Sequence, residues 1–147
     1  MKTFELNTAT QRPENLWSVA GFDSADGVAL VGQIDKGLEG DIANRVAKWA
    51  HISQTDFRKM TGIPSTTFNR GLKARFTPDQ SERIVRIIRI INRAVELFEG
   101  DRVAAQKWLH QPNRALEWKV LADLIASETG AYEVMNLITR IEHGVYS

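Results

Sequence analysis

The chain has 147 residues, room for one sizeable core or for two small helical subdomains sharing an interface. It holds no run of about eighteen apolar residues, no leader-like start at Met1-Lys2-Thr3-Phe4-Glu5 and no cysteine. A membrane span, a signal peptide, disulfides, thiolate metal sites and a cysteine nucleophile are therefore not expected, and a cytoplasmic protein is the simple reading. The net charge of +1 is unevenly spread, at −2 over residues 1–52, +4 over 53–99 and −1 over 100–147, which fits a localised polyanion contact better than a uniformly cationic surface.

Residues 1–27 are poorly patterned. Pro13 interrupts a polar stretch, and Ala20-Gly21-Phe22-Asp23 and Asp26-Gly27 are turn signals, so an irregular arm is expected there. Val28 to Lys36 is read as a short helix with Gly37 just past its end. From Leu38 the helical period is plain, with Ile42, Val46 and Trp49 at i, i+4 and i+7. Ser53 is the expected cap of a short helix burying Phe57 and Met60, and Gly62-Ile63-Pro64 breaks it. Ser65 or Thr66 should cap the next helix, which turns Phe68 and Leu72 inward.

Thr77-Pro78 pairs a cap with a first-turn proline and opens a long helix to about Glu99. Its Ile84, Ile87, Ile88, Ile91, Val95 and Phe98 stripe is widened by Val85, Ile90 and Leu97, so burial on two sides is expected, against both subdomains or a second protomer. Arg83, Arg86, Arg89 and Arg93 recur along the same helix. A solvated face is the simpler reading of such a run, and a rail for backbone phosphates is the functional one. Asp101 should cap a helix holding Ala104 and Trp108, which Pro112-Asn113 stops. A short helix is expected within 114–128, and a last one carries Val134, Leu137, Ile138 and Ile141 before Gly144.

Residues 54–73 carry the parts of a helix-turn-helix. Two short helices crossing steeply need a turn residue tolerant of positive φ, and Gly62 supplies it. Ile63 and Phe68 would then pack on Phe57. The second helix offers Ser65, Thr66, Thr67, Asn69, Arg70 and Lys73 outward, with Arg75 beyond. Hydroxyls and a helix N-terminus suit phosphates, and Asn and Arg suit base edges in the major groove. A helical hairpin with a solvated polar face is the plain alternative. Arg58 departs from the motif, standing where a small residue is usual because the helices pass closely.

The C-terminal stretch is more specific. Trp108-Leu109, Pro112-Asn113-Arg114-Ala115-Leu116, Gly130-Ala131, Val134 and the run from Arg140 to Ser147 resemble the toxin-binding domain of Xre/MbcA/ParS-type antitoxins. Gly62 to Arg70 resembles their Xre-type helix-turn-helix, and the long helix from Pro78 to Phe98 is also similar, so the likeness spans roughly residues 28 to 147. It implies an all-α fold, with a helix-turn-helix domain at 28–77 and a C-terminal toxin-binding domain at 78–147 following the irregular arm read at 1–27. It also implies a type II antitoxin of the RES–Xre kind. Such a protein blocks a toxin of ADP-ribosyltransferase-like fold that depletes NAD, represses its own operon, often as a homodimer, and needs no cofactor.

On this resemblance Ser65, Thr66, Thr67, Asn69, Arg70, Lys73 and Arg75 face operator DNA, and Arg140, Glu142, His143, Gly144, Val145, Tyr146 and Ser147 face the toxin. A free carboxylate after Tyr146-Ser147 would suit a pocket built for pyrophosphate, and Tyr146 offers rigid contact area with a polar tip. One departure stands out. After Ala115-Leu116 the family commonly has a Gly-rich turn and then Thr-Pro or Ser-Pro, whereas this chain has Glu117-Trp118-Lys119-Val120-Leu121, so no partner contact is carried over to that turn.

Two rival classes remain. His51, His110 and His143 show no ligand spacing, and no Gly-rich phosphate loop or G-x-S-x-G occurs, so the sequence reads against an enzyme. A free-standing helix-turn-helix regulator without a toxin, or an antitoxin that has lost DNA binding through Arg58 and Gly71, would share the same motif.

Overall fold

A computed structural model describes residues 15–22 and 27–144. Along the described chain run α1 (Leu16–Val19), α2 (Val28–Lys36), α3 (Asp41–Trp49), α4 (Gln54–Thr61), α5 (Ser65–Lys73), α6 (Pro78–Leu97), α7 (Arg102–Leu109), α8 (Leu121–Leu124) and α9 (Glu128–Glu142). A two-residue antiparallel ladder pairs β1 (Pro112–Asn113) with β2 (Lys119–Val120) across the 3-10 turn Arg114–Leu116. None of these helices is long and apolar enough to cross a membrane.

The helix starts are built from side-chain caps, each contributing about 1 kcal/mol by satisfying an orphan amide. Ser53 accepts from Asp56 N at 3.0 Å, Asp101 from Ala104 N at 3.0 Å and Ser127 from Gly130 N at 3.0 Å. Thr77 and Gln80 form a reciprocal capping box, with Pro78 opening α6.

The core is organised around α6, which at 20 residues is about 30 Å long. Ile84, Val85, Ile87, Ile88, Ile90, Ile91, Ala94 and Val95 are all buried. One side of this broad apolar surface packs on α1, α2 and α4, and the other on α7 and α9. Both subdomains therefore cover it, as one of the two sequence expectations had it, and no second protomer is needed to do so. Truncating one of these isoleucines to alanine would cost about 2–5 kcal/mol.

Two local expectations are corrected and a third is narrowed. The stretch read as an irregular arm contains α1, whose Leu16 and Trp17 join the core together with Ala20 and Phe22. Its anchors are remote in sequence: Asn92 Oδ1 accepts from Leu16 N at 3.2 Å, and the Arg89 guanidinium lies 5.4 Å from the Trp17 ring centroid. Residues 1–14 and 23–26 of that arm lie outside the described residues. The cap of α5 is Pro64, not Ser65 or Thr66, because its fixed φ of −60° with ψ 148° already supplies the extended cap conformation. The short helix expected within 114–128 is present but confined to the single turn of α8, the residues before it forming the 3-10 turn and the ladder. There Asn113 directs the backbone, its side chain accepting from Ala115 N at 2.9 Å and its carbonyl from Trp118 N at 2.8 Å.

Candidate functional site

The helix-turn-helix is built from α4, the Gly62 turn and α5. Gly62 adopts φ +76° and ends α4, its amide reaching the Arg58 and Lys59 carbonyls. Thr61 knits the corner, its hydroxyl donating to Arg58 O at 2.6 Å and accepting from Ile63 N at 3.1 Å. The Phe57 and Phe68 rings meet at 6.5 Å, and Phe76 closes the other side of Phe68 at 5.5 Å. Arg58 fits because its head leaves the crossing: Nη1 donates to Ile63 O at 2.9 Å and so closes the turn. A small residue is dispensable there because the long stem lies along the surface and its donor satisfies a turn carbonyl.

Phe68 and Gly71 of α5 are buried and Leu72 is half-buried, which turns Ser65, Thr66, Asn69, Arg70 and Lys73 outward, all exposed along one face. With Pro64 as cap, no side chain bonds the first amides of α5, so donors and hydroxyls are presented together at its start. Two residues singled out from sequence stand apart from this face. Thr67 is half-buried. Arg75 lies beyond the helix, where it donates to Gly37 O and sits 3.8 Å from Glu39. Among the described residues, Lys59, Arg70 and Lys73 enter no ion pair, so cationic charge is concentrated on the helix-turn-helix without internal neutralisation.

The arginine row on α6 is not a bare solvated face, since each member has a partner within the molecule. Arg83 pairs with Asp79 at 3.6 Å and reaches Gly62 O at 3.4 Å. Arg86 donates to Ala126 O at 3.0 Å, and burial, reinforced by the neighbouring Arg83 charge, holds its guanidinium below the usual arginine range. Arg89 covers Trp17, and Arg93 reaches Glu142 at 2.6 Å and Thr139 Oγ1 at 3.1 Å. Each cation therefore fastens a neighbouring segment to the long helix.

At the other end of the molecule, α9 closes with His143 as its cap residue and Gly144 at φ +70°. Arg140 is half-buried, and His143 and Gly144 are exposed. Glu142 is tied to Arg93, the two side chains only 28% and 29% exposed, so its carboxylate serves as an anchor for the last turn. Val145, Tyr146 and Ser147 lie outside the described residues. The turn at which the chain departs from the family's pattern holds Glu117 and Trp118. Both have positive φ, 59° and 63°, in non-glycine residues, which costs about 1–2 kcal/mol each. The absence of the family's glycines from this stretch is the sequence signal that marks the turn.

Comparison with known proteins divides the chain into two recognised domains. Residues 29–89 match the antitoxin Xre-like helix-turn-helix domain, and residues 93–144 match the antitoxin Xre/MbcA/ParS C-terminal toxin-binding domain. An antitoxin Xre of Yersinia enterocolitica is 38% identical over the full length of both chains. An antitoxin Xre of Photorhabdus laumondii is 37% identical over 134 residues, 90% of each chain.

Proposed function

Since this chain belongs to the Xre antitoxin family, an antitoxin of a toxin–antitoxin system with one helix-turn-helix domain and one toxin-binding domain, we propose that its toxin is an NAD-depleting enzyme of the RES type, blocked at its active site by residues Arg140 to Ser147. The observation that carries this reading is the anchoring of α9. Its last turn is fixed to α6 through Arg93, Glu142 and Thr139, so whatever follows Gly144 departs from a firm base. Pre-ordering the base lowers the conformational cost of inserting a short segment into a pocket. Val145, Tyr146 and Ser147 then supply an apolar residue, a rigid aromatic with a polar tip and a small hydroxyl.

The same protein represses its own operon as a homodimer in a type II system. Ser65, Thr66 and Thr67 hold the operator backbone at the start of α5, while Asn69 and Arg70 read base edges and Lys73 and Arg75 flank the groove. The support is the shared exposure of Ser65, Thr66, Asn69, Arg70 and Lys73 and the unneutralised charge around them. Arg75 takes part only by exchanging its hold on Gly37 and Glu39 for a phosphate.

The test is co-expression with a candidate RES-type toxin, sought in the adjacent reading frame. Removal of Val145 to Ser147 is expected to restore NAD depletion and growth arrest while leaving far-ultraviolet circular dichroism unchanged. Continued protection of growth and of cellular NAD by the truncated chain would refute the blocking role.

A further inference from the structure

An exposed apolar side chain alone signals nothing, and Val28 and Val31 on α2 are exposed at ordinary helical positions. Trp118 differs. It is 66% exposed, and it forms with Glu117 an adjacent pair of non-glycine residues in left-handed conformation. Of the other such residues among those described, His51 and Glu99 follow the ends of α3 and α6, as Glu117 ends the 3-10 turn, where a left-handed residue commonly terminates a helix; Trp118 carries the conformation one residue further. Nothing internal rewards the arrangement at Trp118. Its amide closes the turn onto Asn113 O, a bond that any residue would make, while its indole stands in solvent. Glycine would adopt the same backbone freely. A strained position holding the largest apolar side chain, outward, points to a contact with a partner rather than to stability.

The turn lies inside residues 93–144, the part matching the toxin-binding domain, and the exposed Arg114 and Lys119 flank it. The β1–β2 ladder joins the two ends of the turn, Pro112 with Val120 and Asn113 with Lys119, so the ring is presented at the tip of a closed hairpin. We propose that Trp118 is a second anchor for the toxin, an aromatic contact outside the active site that sets affinity and partner choice while the residues after Gly144 block catalysis. This inference rests on the pairing with a toxin and adds to it a contact made elsewhere on the domain. Tryptophan suits the role because it buries a large rigid area when a partner closes over it.

The test uses the full-length chain and the purified, catalytically inactivated toxin that the co-expression experiment identifies, with affinity measured by interferometry. Melting temperature and oligomeric state are measured on the free antitoxin. Trp118→Gly is expected to weaken toxin binding by about tenfold or more, as for a central aromatic contact, while raising the melting temperature because the backbone strain is relieved. Glu117→Gly should raise the melting temperature with affinity unchanged, and Trp118→Tyr should restore most of the affinity. Unchanged affinity for Trp118→Gly overturns the proposal. So does a change confined to the oligomeric state, which assigns the ring to a contact between copies of this chain. Failure of the unaltered chain to bind the toxin removes the pairing and this inference with it. Binding by the unaltered chain that is insensitive to position 118 removes this inference alone.

Discussion

Replacing Gly71 with alanine sets helix propensity against packing at the centre of the helix-turn-helix. A Cβ at this position would lie 2.3 Å from Phe76 Cδ1 and 2.4 Å from Cε1, well inside van der Waals contact. The ring has little room to yield. Phe76 is 2% exposed, packs on Phe68 at 5.5 Å and has its amide bonded to Leu38 O at 2.8 Å. Propensity favours alanine by about 1 kcal/mol in a helix interior. Overpacking costs about 1–3 kcal/mol, and a contact this short belongs at the upper end. The net expectation is a loss of about 1–2 kcal/mol, or a fall in melting temperature of about 2–8 °C for a chain of this size. Relief requires α5 to move off Phe76, taking Asn69 and Arg70 with it, so operator affinity should fall while toxin binding holds. Thermal and urea unfolding, with gel shift on the chain's own promoter, measure both effects, and Phe76→Leu in the same chain should recover most of the stability. A melting temperature for Gly71→Ala at or above that of the parent would refute the argument, showing that the ring gives way and propensity decides.

Arg93→Ala should destabilise the fold by about 1–2 kcal/mol, between the values for exposed ion pairs and for charged hydrogen bonds, since the pair with Glu142 is mostly covered. Urea unfolding at low and high salt would show the difference shrinking with screening, and an equal loss at both would point to packing of the arginine stem instead. Arg70→Ala should weaken operator binding by about 1–3 kcal/mol and leave toxin neutralisation intact. Affinity of the unaltered chain should fall steeply with salt as phosphate contacts release counterions. A flat salt response would argue against the basic helix-turn-helix as the footprint.

The sequence was most legible where one local rule decided the outcome. Ser53, Thr77 and Asp101 cap the helices that follow them, and Gly62 takes the left-handed turn its position between two short helices demanded. The wide stripe on α6 foretold burial on two sides, because periodicity over twenty residues averages out local exceptions. Legibility failed where partners were distant. Helix α1 has four residues and no readable period, and Asn92, 76 positions away, holds its first amide. The arginine run looked like a surface because charge patterning says nothing about the carbonyls of Gly62 and Ala126. At Glu117 and Trp118 the missing glycines were noticed, but the conformation they would have eased was adopted regardless. Of the outward face of α5, helical spacing placed all but Thr67, whereas Arg75 lies past the helix end, where tertiary contacts decide.

The way α6 is shared bears on how the two activities coexist. The family matches divide the chain within this helix, yet its buried surface is continuous across the division, from Ile84 to Val95. Cutting there would strip partners from Ile84, Ile87 and Ile88 on one side and from Ala94 and Val95 on the other. The joint is further closed at its corner, where the space a Gly62 side chain would enter is occupied by Ala126 at 3.2–3.3 Å. Arg83 and Arg86, three residues apart on α6, donate to the carbonyls on the two sides of that contact. The turn between α4 and α5 and the turn leading into α9 are thus braced against each other and against the same helix. A load on α9 meets a fixed frame that also carries α5, so the two surfaces belong to one folding unit rather than to two beads on a linker.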